Sequence, residues 1–276
     1  MPSARTDREA DAMTRSRLLR LTGFAVALAL AACTTKQTVQ TAPEPTPLPA
    51  PTPASPQVRA QLHTELGAGY YERGQMDIAL EELNLAVKID PNYAQAYNIY
   101  GLIYATLGDD RKAEQSFAQA LQLAPNDSDI HHNWGWYLCQ HKREREALAE
   151  FETAVRNPLY KTPEIALVNA GRCSQPFDEK AAEGYYRRAL AVQPGNPLAS
   201  LGLAQIAYRS KRYDEARTWM KGVMLTTNPP PEALRLGVCI ERKLGDRQAE
   251  LSYVSQLKNR YPEASETKGI ATDTCE

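Results

Sequence analysis

The sequence predicts an all-α solenoid of stacked helix pairs, and three observations lead there. Glycines recur at a step of 34 residues (Gly67, Gly101, Gly135), alanines keep that step at Ala79, Ala113 and Ala147 and again at Ala86, Ala120 and Ala154, and Pro91 and Pro125 close the first two units. A fixed period of this length marks a repeat array. Two antiparallel helices pack closely only where a small residue stands on each at the crossing and large residues fill the adjacent holes. The large residues are in register too: Tyr70, Tyr104 and Leu138 on the first helix, and Leu83, Phe117 and Phe151 on the second. The prolines fall just after a helix, where the missing N–H and the ring prevent a further turn. Each pair leaves an apolar face uncovered unless a neighbour stacks on it, so several units are required.

This spacing resembles the tetratricopeptide repeat, which implies a right-handed superhelix whose concave side is lined by the first helix of each pair. Six units are read, at about 60–93, 94–127, 128–161, 163–196, 197–229 and 230–263. The fourth keeps Ala170, Ala182, Tyr186, Ala189 and Pro194, with a first helix interrupted near Ser174-Gln175-Pro176. The fifth keeps Leu203, Ala204, Ala216 and Met220, and the sixth keeps Leu236-Gly237, Ala249, Tyr253 and Pro262. Residues 264–276 read as a polar tail.

Composition narrows the function classes. The 276 residues carry 32 Lys+Arg against 33 Asp+Glu, a formal charge of -1, so the even balance argues against a strongly basic nucleic-acid binder. A hydrophobic content of 43% supports a real core and excludes wholesale disorder. The 14 Tyr and 3 Trp outweigh 4 Phe, a mix suited to half-wet contact surfaces.

The first sixty residues read as an address, an anchor and a tether. Arg15, Arg17 and Arg20 precede the uncharged run Leu21 to Ala32, the pattern of an export signal over residues 1–32 that would read equally well from Met13. Twelve residues of helix rise roughly 18 Å, short of the ~30 Å of a bilayer core, so a membrane span is the weaker reading. Leu30-Ala31-Ala32-Cys33 resembles the lipobox of bacterial lipoproteins. That resemblance implies that Cys33 is acylated and becomes the first mature residue. It also implies the periplasmic face of the outer membrane, because Thr34 stands where an inner-membrane lipoprotein has Asp. The acyl chains would then be the membrane contact. Residues 33–58 follow as the lipidated cysteine and a linker with seven prolines, extended to roughly 75 Å at polyproline II geometry.

Projecting the groove-facing positions of the repeat's first helix onto this chain yields Tyr71, Asn98, Leu102, Asp129, His132, Trp136, Leu198, Leu201, Gln205 and Tyr208. Apolar and aromatic with a few hydrogen-bonding groups, this set suits a segment of a partner protein, although any member could instead pack between repeats. The adjacent His131 and His132 diverge by about 100° on a helix and make a poor metal site. No H-E-x-x-H, G-x-S-x-G or G-x-x-x-x-G-K-[ST] occurs, so neither an enzyme, a cofactor nor a small-molecule substrate is expected. Cys139 and Cys173 are one period apart, on the first helices of adjacent repeats. In an oxidising periplasm this favours a disulfide, the alternative being two buried reduced thiols. Cys239 and Cys275 either pair or stay free.

Asn133-Trp134-Gly135-Trp136-Tyr137-Leu138-Cys139-Gln140 resembles a signature of the PilF/PilW lipoproteins of type IV pilus biogenesis, and Val168-Asn169-Ala170-Gly171-Arg172-Cys173 resembles that family's second cysteine motif. His131-His132 and the length of the proline-rich tether depart from the family pattern. The resemblance implies a pilotin, which accompanies the pilus secretin subunit to the outer membrane and promotes its assembly. The rival reading is a periplasmic repeat lipoprotein that scaffolds barrel assembly or peptidoglycan enzymes.

Overall fold

A computed structural model describes residues 54–272 and 275. Among these the chain is helical, with thirteen α-helices and no strand. Six pairs run in order: α1 Pro56–Glu72 with α2 Met76–Ile89, α3 Ala94–Leu107 with α4 Asp110–Leu123, α5 Ser128–Gln140 with α6 Glu144–Arg156, α7 Pro163–Ser174 with α8 Glu179–Val192, α9 Pro197–Arg209 with α10 Tyr213–Met224, and α11 Pro231–Leu244 with α12 Arg247–Arg260. A short α13, Ser265–Lys268, and a 3-10 turn, Gly269–Thr272, follow. The export signal, Cys33 and nearly all of the proline-rich linker lie outside the described residues. The first helix begins inside the segment read as linker, where Ser55 accepts a hydrogen bond from the Val58 N–H and Pro56 stands at the first helical position.

Local chemistry sets the boundaries. Asp109, Asp178 and Asp246 cap α4, α8 and α12 by accepting from backbone N–H groups two or three residues into the helix, and Asp127 and Asn196 do the same for α5 and α9. Within a pair the chain turns through a left-handed residue, Gly74, Gly108, Lys142, Lys211 or Gly245. The fourth pair is the exception. What the sequence reads as an interrupted helix is a longer connection: α7 ends at Ser174, and the Asp178 N–H bonds back to the Ser174 carbonyl at 2.8 Å before α8 begins.

The small-against-large register is the core. Ala79, Ala113, Ala147, Ala182 and Ala216 are fully buried, and so are Leu83, Phe117, Phe151, Tyr186 and Met220 on the second helices. A Cβ added to Gly67 would stand 3.0 Å from the Leu83 side chain, on Gly101 2.7 Å from the Phe117 ring, and on Gly237 2.9 Å from the Tyr253 ring. Buried apolar clusters bridge successive pairs, as where Ala96, Tyr100 and Ile103 of α3 close over Ala79, Leu83 and Ala86 of α2. Each such aromatic or aliphatic side chain contributes about 1.5–3 kcal/mol by leaving water.

Two disulfides add covalent ties. Cys139 on α5 joins Cys173 on α7 with a Cα–Cα distance of 5.8 Å. A loop of this length is worth about 3–4 kcal/mol in the chain-entropy picture. Cys239 on α11 joins Cys275 across 5.4 Å, so the tail is anchored by its cysteine. Ile270 packs on Leu234, Val238 and Leu257, which makes the polar tail part of the folded body.

Two neighbouring histidines have opposite environments. The His131 Nδ1 meets Glu150 Oε2 at 2.5 Å and its Nε2 meets the Pro125 carbonyl at 2.9 Å. The Glu150 hydrogen bond raises its pKa above the ordinary histidine value, against the opposing effect of burial. His132 lies between the Phe151 and Tyr160 rings, and burial pushes its pKa down to about 4. With the Asn169 amide donating to Nε2 at 2.8 Å, Nδ1–H donates to the Tyr160 hydroxyl at 2.9 Å. The neutral ring satisfies both partners.

Two predictions follow from this packing. Gly101→Ala lowers stability by about 1–3 kcal/mol through overpacking, whereas Gly184→Ala, whose Cβ would meet nothing, gains up to about 1 kcal/mol of helix propensity. Paired thermal melts check the opposite signs. The stability due to the His131–Glu150 pair is fully present below the unfolded histidine pKa of about 6.5 and fades as pH rises through the higher folded value. His131→Gln therefore costs more at pH 5 than at pH 8 in urea unfolding.

Candidate functional site

The candidate interaction surface is the face of the odd-numbered helices, and it has two halves of different character. In the first half its polar groups are spent between repeats. The Tyr71 hydroxyl pairs with Thr106 Oγ1 at 3.1 Å, Gln95 donates to Asp127 at 2.8 Å, and Asn133 donates to Asn98 Oδ1 at 3.1 Å. Asn98 is 1% exposed, and the His132 ring is committed to Tyr160 and Asn169. These two positions are therefore inter-repeat fasteners rather than free groove contacts. Leu102 packs beside Phe117 and Tyr137, and Asp129 is exposed, with its carboxyl pKa raised by desolvation and by Asp127.

From α5 onward the face opens into three adjoining cavities. The first, about 490 Å³, lies over α5 and α7 and is lined by Trp136, Phe151, Asn169, Arg172 and the Cys139–Cys173 pair. Arg172 also lines the second, about 280 Å³, with Tyr186, Leu198, Leu201 and Gln205. Gln205 and Glu232 carry the surface into the third, about 560 Å³, whose walls include Tyr208, Arg209, Arg235 and Leu236. Leu198 is 53% exposed, whereas Leu201 is 7% exposed, a core residue in the same cluster as Ala204 and Met220 that also lines the second cavity.

The structure thus brings Trp136, Leu198, Leu201, Gln205 and Tyr208 onto one continuous surface and leaves Tyr71, Asn98, Leu102, Asp129 and His132 off its cavities. The sequence reading missed Arg172, Arg209, Glu232 and Arg235. Arg172 had a visible signal, since it directly precedes Cys173 in the second cysteine motif. The surface offers apolar walls with a few guanidinium, carboxylate and amide groups, chemistry for holding a polypeptide segment. Among the described residues no group of three or more His, Cys, Asp or Glu could hold a metal ion, and no helix is long and apolar enough to cross a membrane.

Comparison with known proteins places this geometry. Residues 94–127 and 177–236 match families described as tetratricopeptide repeat, and residues 67–108 match one described as TPR repeat. The type IV pilus assembly protein PilF of Pseudomonas aeruginosa is 27% identical over 201 residues, 72% of this chain and 80% of that protein. A solved structure of Pseudomonas aeruginosa PilF is 24% identical with a TM-score of 0.72, covering 79% of this chain and 99% of the other, which speaks for the fold. The crystal structure of PilW, a widely conserved type IV pilus biogenesis factor, is 32% identical with a TM-score of 0.69, covering 77% of this chain and 98% of that one. With the repeat register, the six helix pairs and this match over nearly the whole of PilW, the chain belongs to the PilF/PilW family of tetratricopeptide-repeat factors in type IV pilus biogenesis.

Proposed function

We propose that the chain is an outer-membrane lipoprotein that acts, without enzymatic activity, as a pilotin for the type IV pilus secretin. The observation that carries this reading is the 32% identity to PilW across 98% of that protein. Cys33 provides the acyl anchor on the periplasmic face, residues 34–55 provide reach, and the face of α5, α7 and α9 holds a secretin segment. Physical tethering is the mechanism. A partner held near the bilayer experiences a high effective concentration of its fellow subunits and of the membrane, so assembly accelerates without any covalent step. Trp136 and Leu198 are the apolar anchors, and the Arg172 guanidinium is placed between two cavities to receive an acidic or carbonyl group.

Two outcomes test the reading. Cys33→Ala leaves the protein in the soluble periplasmic fraction and the secretin monomeric; outer-membrane secretin multimers at the wild-type level would refute the anchor role. Trp136→Ala together with Leu198→Ala reduces secretin capture in a pulldown by at least an order of magnitude, corresponding to about 1.4 kcal/mol or more, while circular dichroism stays unchanged. Equal capture by the variant would remove this face from the mechanism.

A further inference from the structure

The odd-helix face is not open along its whole length, because the chain's own C-terminus returns across its end. Thr267 Oγ1 donates to the Tyr261 carbonyl at 2.5 Å, Ile270 packs on Leu234, Val238 and Leu257, and Cys275 is bonded to Cys239 of α11. Tyr208 of α9, a position that the repeat register assigns to partner contact, donates its hydroxyl hydrogen to the Cys275 carbonyl at 2.6 Å. A backbone carbonyl is the group an extended ligand would present to that tyrosine. Ser265 and Glu266 complete the wall of the 560 Å³ cavity between α9 and α11.

Two arginines of α11 meet this segment. The Arg242 guanidinium reaches Cys275 Sγ at 3.6 Å, and Arg235 lies against the backbone of Gly269, where a Cβ would meet its Nη1. The end of the face therefore holds the returning segment against two arginines of α11.

We propose that residues 264–272 together with Cys275 are an intramolecular pseudo-ligand: they occupy the end of the face over α9 and α11 and confine a bound partner segment to α5, α7 and the start of α9. This rests on the reading that the odd-helix face holds a partner. Covalent attachment gives the segment a high local concentration, so a free partner must outcompete it to reach that end of the face.

The test uses the full exported chain carrying Cys275→Ser with Ile270→Ser, which removes the tie and the apolar foothold. The dye 8-anilinonaphthalene-1-sulfonate is the first probe. Its fluorescence rises severalfold over wild type with unchanged circular dichroism, and adding Leu236→Arg, which fills the cavity, abolishes the rise. No rise, or one that Leu236→Arg leaves intact, overturns the proposal. The second probe is a photoreactive residue placed at Trp136 or at Leu236. Secretin crosslinks from 136 alone when the segment is in place and from both positions once it is released; an unchanged pattern with the dye effect present also overturns it. Secretin crosslinking from neither position in any variant sinks the pilotin reading, and the dye experiment still decides whether the segment covers the face.

Discussion

At most helix crossings in this chain the second helix sends a large side chain into the space where the first helix lacks a Cβ. Leu83 under Gly67, Phe117 under Gly101 and Phe151 under Gly135 repeat that contact at the same step. The glycine is needed for close approach rather than for backbone freedom, since all three sit inside regular helix. Interiors packed at crystal density tolerate no extra methyl group there, so this contact fixes the separation of the two helices in a pair. A constant pair geometry then fixes the spacing between pairs. That spacing brings Cys139 within disulfide reach of Cys173 and lines up the odd helices as one face.

Polar groups divide that face into a locked half and a receptive half. In the first repeats Asn98, Asn133, Gln95 and Asp127 bond across the stack, and among the described residues no buried side-chain nitrogen or oxygen is left without a partner. Each such bond contributes about 0.5–1.5 kcal/mol, and loss of the Asn133 partner would cost more because Asn98 is buried. These bonds stiffen the start of the array and use up its recognition groups. Along α5, α7 and α9 cavities appear, and Trp136, Leu198 and Arg172 line them. A stiff platform followed by a receptive trough suits a factor whose work is to hold another protein in place.

Much of this was legible in the residues. The helix pairs, their order and the small-against-large register follow from the 34-residue step, because a repeat packs against itself and its pattern is local. Asn98 was misplaced as a free groove position because register specifies which way a Cα faces, while burial depends on how closely the neighbouring helix approaches. The irregularity near Ser174 was visible in the sequence, and the structure resolves it as a longer connection where one pair departs from its neighbours. Arg209, Arg235 and Glu232 carried no motif at all; they count as site residues only because α9 and α11 lie side by side.

By itself the sequence determined the helical repeat, the family and the chemical character of the face, since each depends on residues close in the chain or related by a fixed step. Tertiary structure alone decided which polar positions bond across the stack, that Cys239 takes Cys275 as its partner, and that a tail of polar composition folds back over α11. Those outcomes depend on contacts between segments far apart in the chain, such as Tyr208 with Cys275, and composition and periodicity hold no information about such distances.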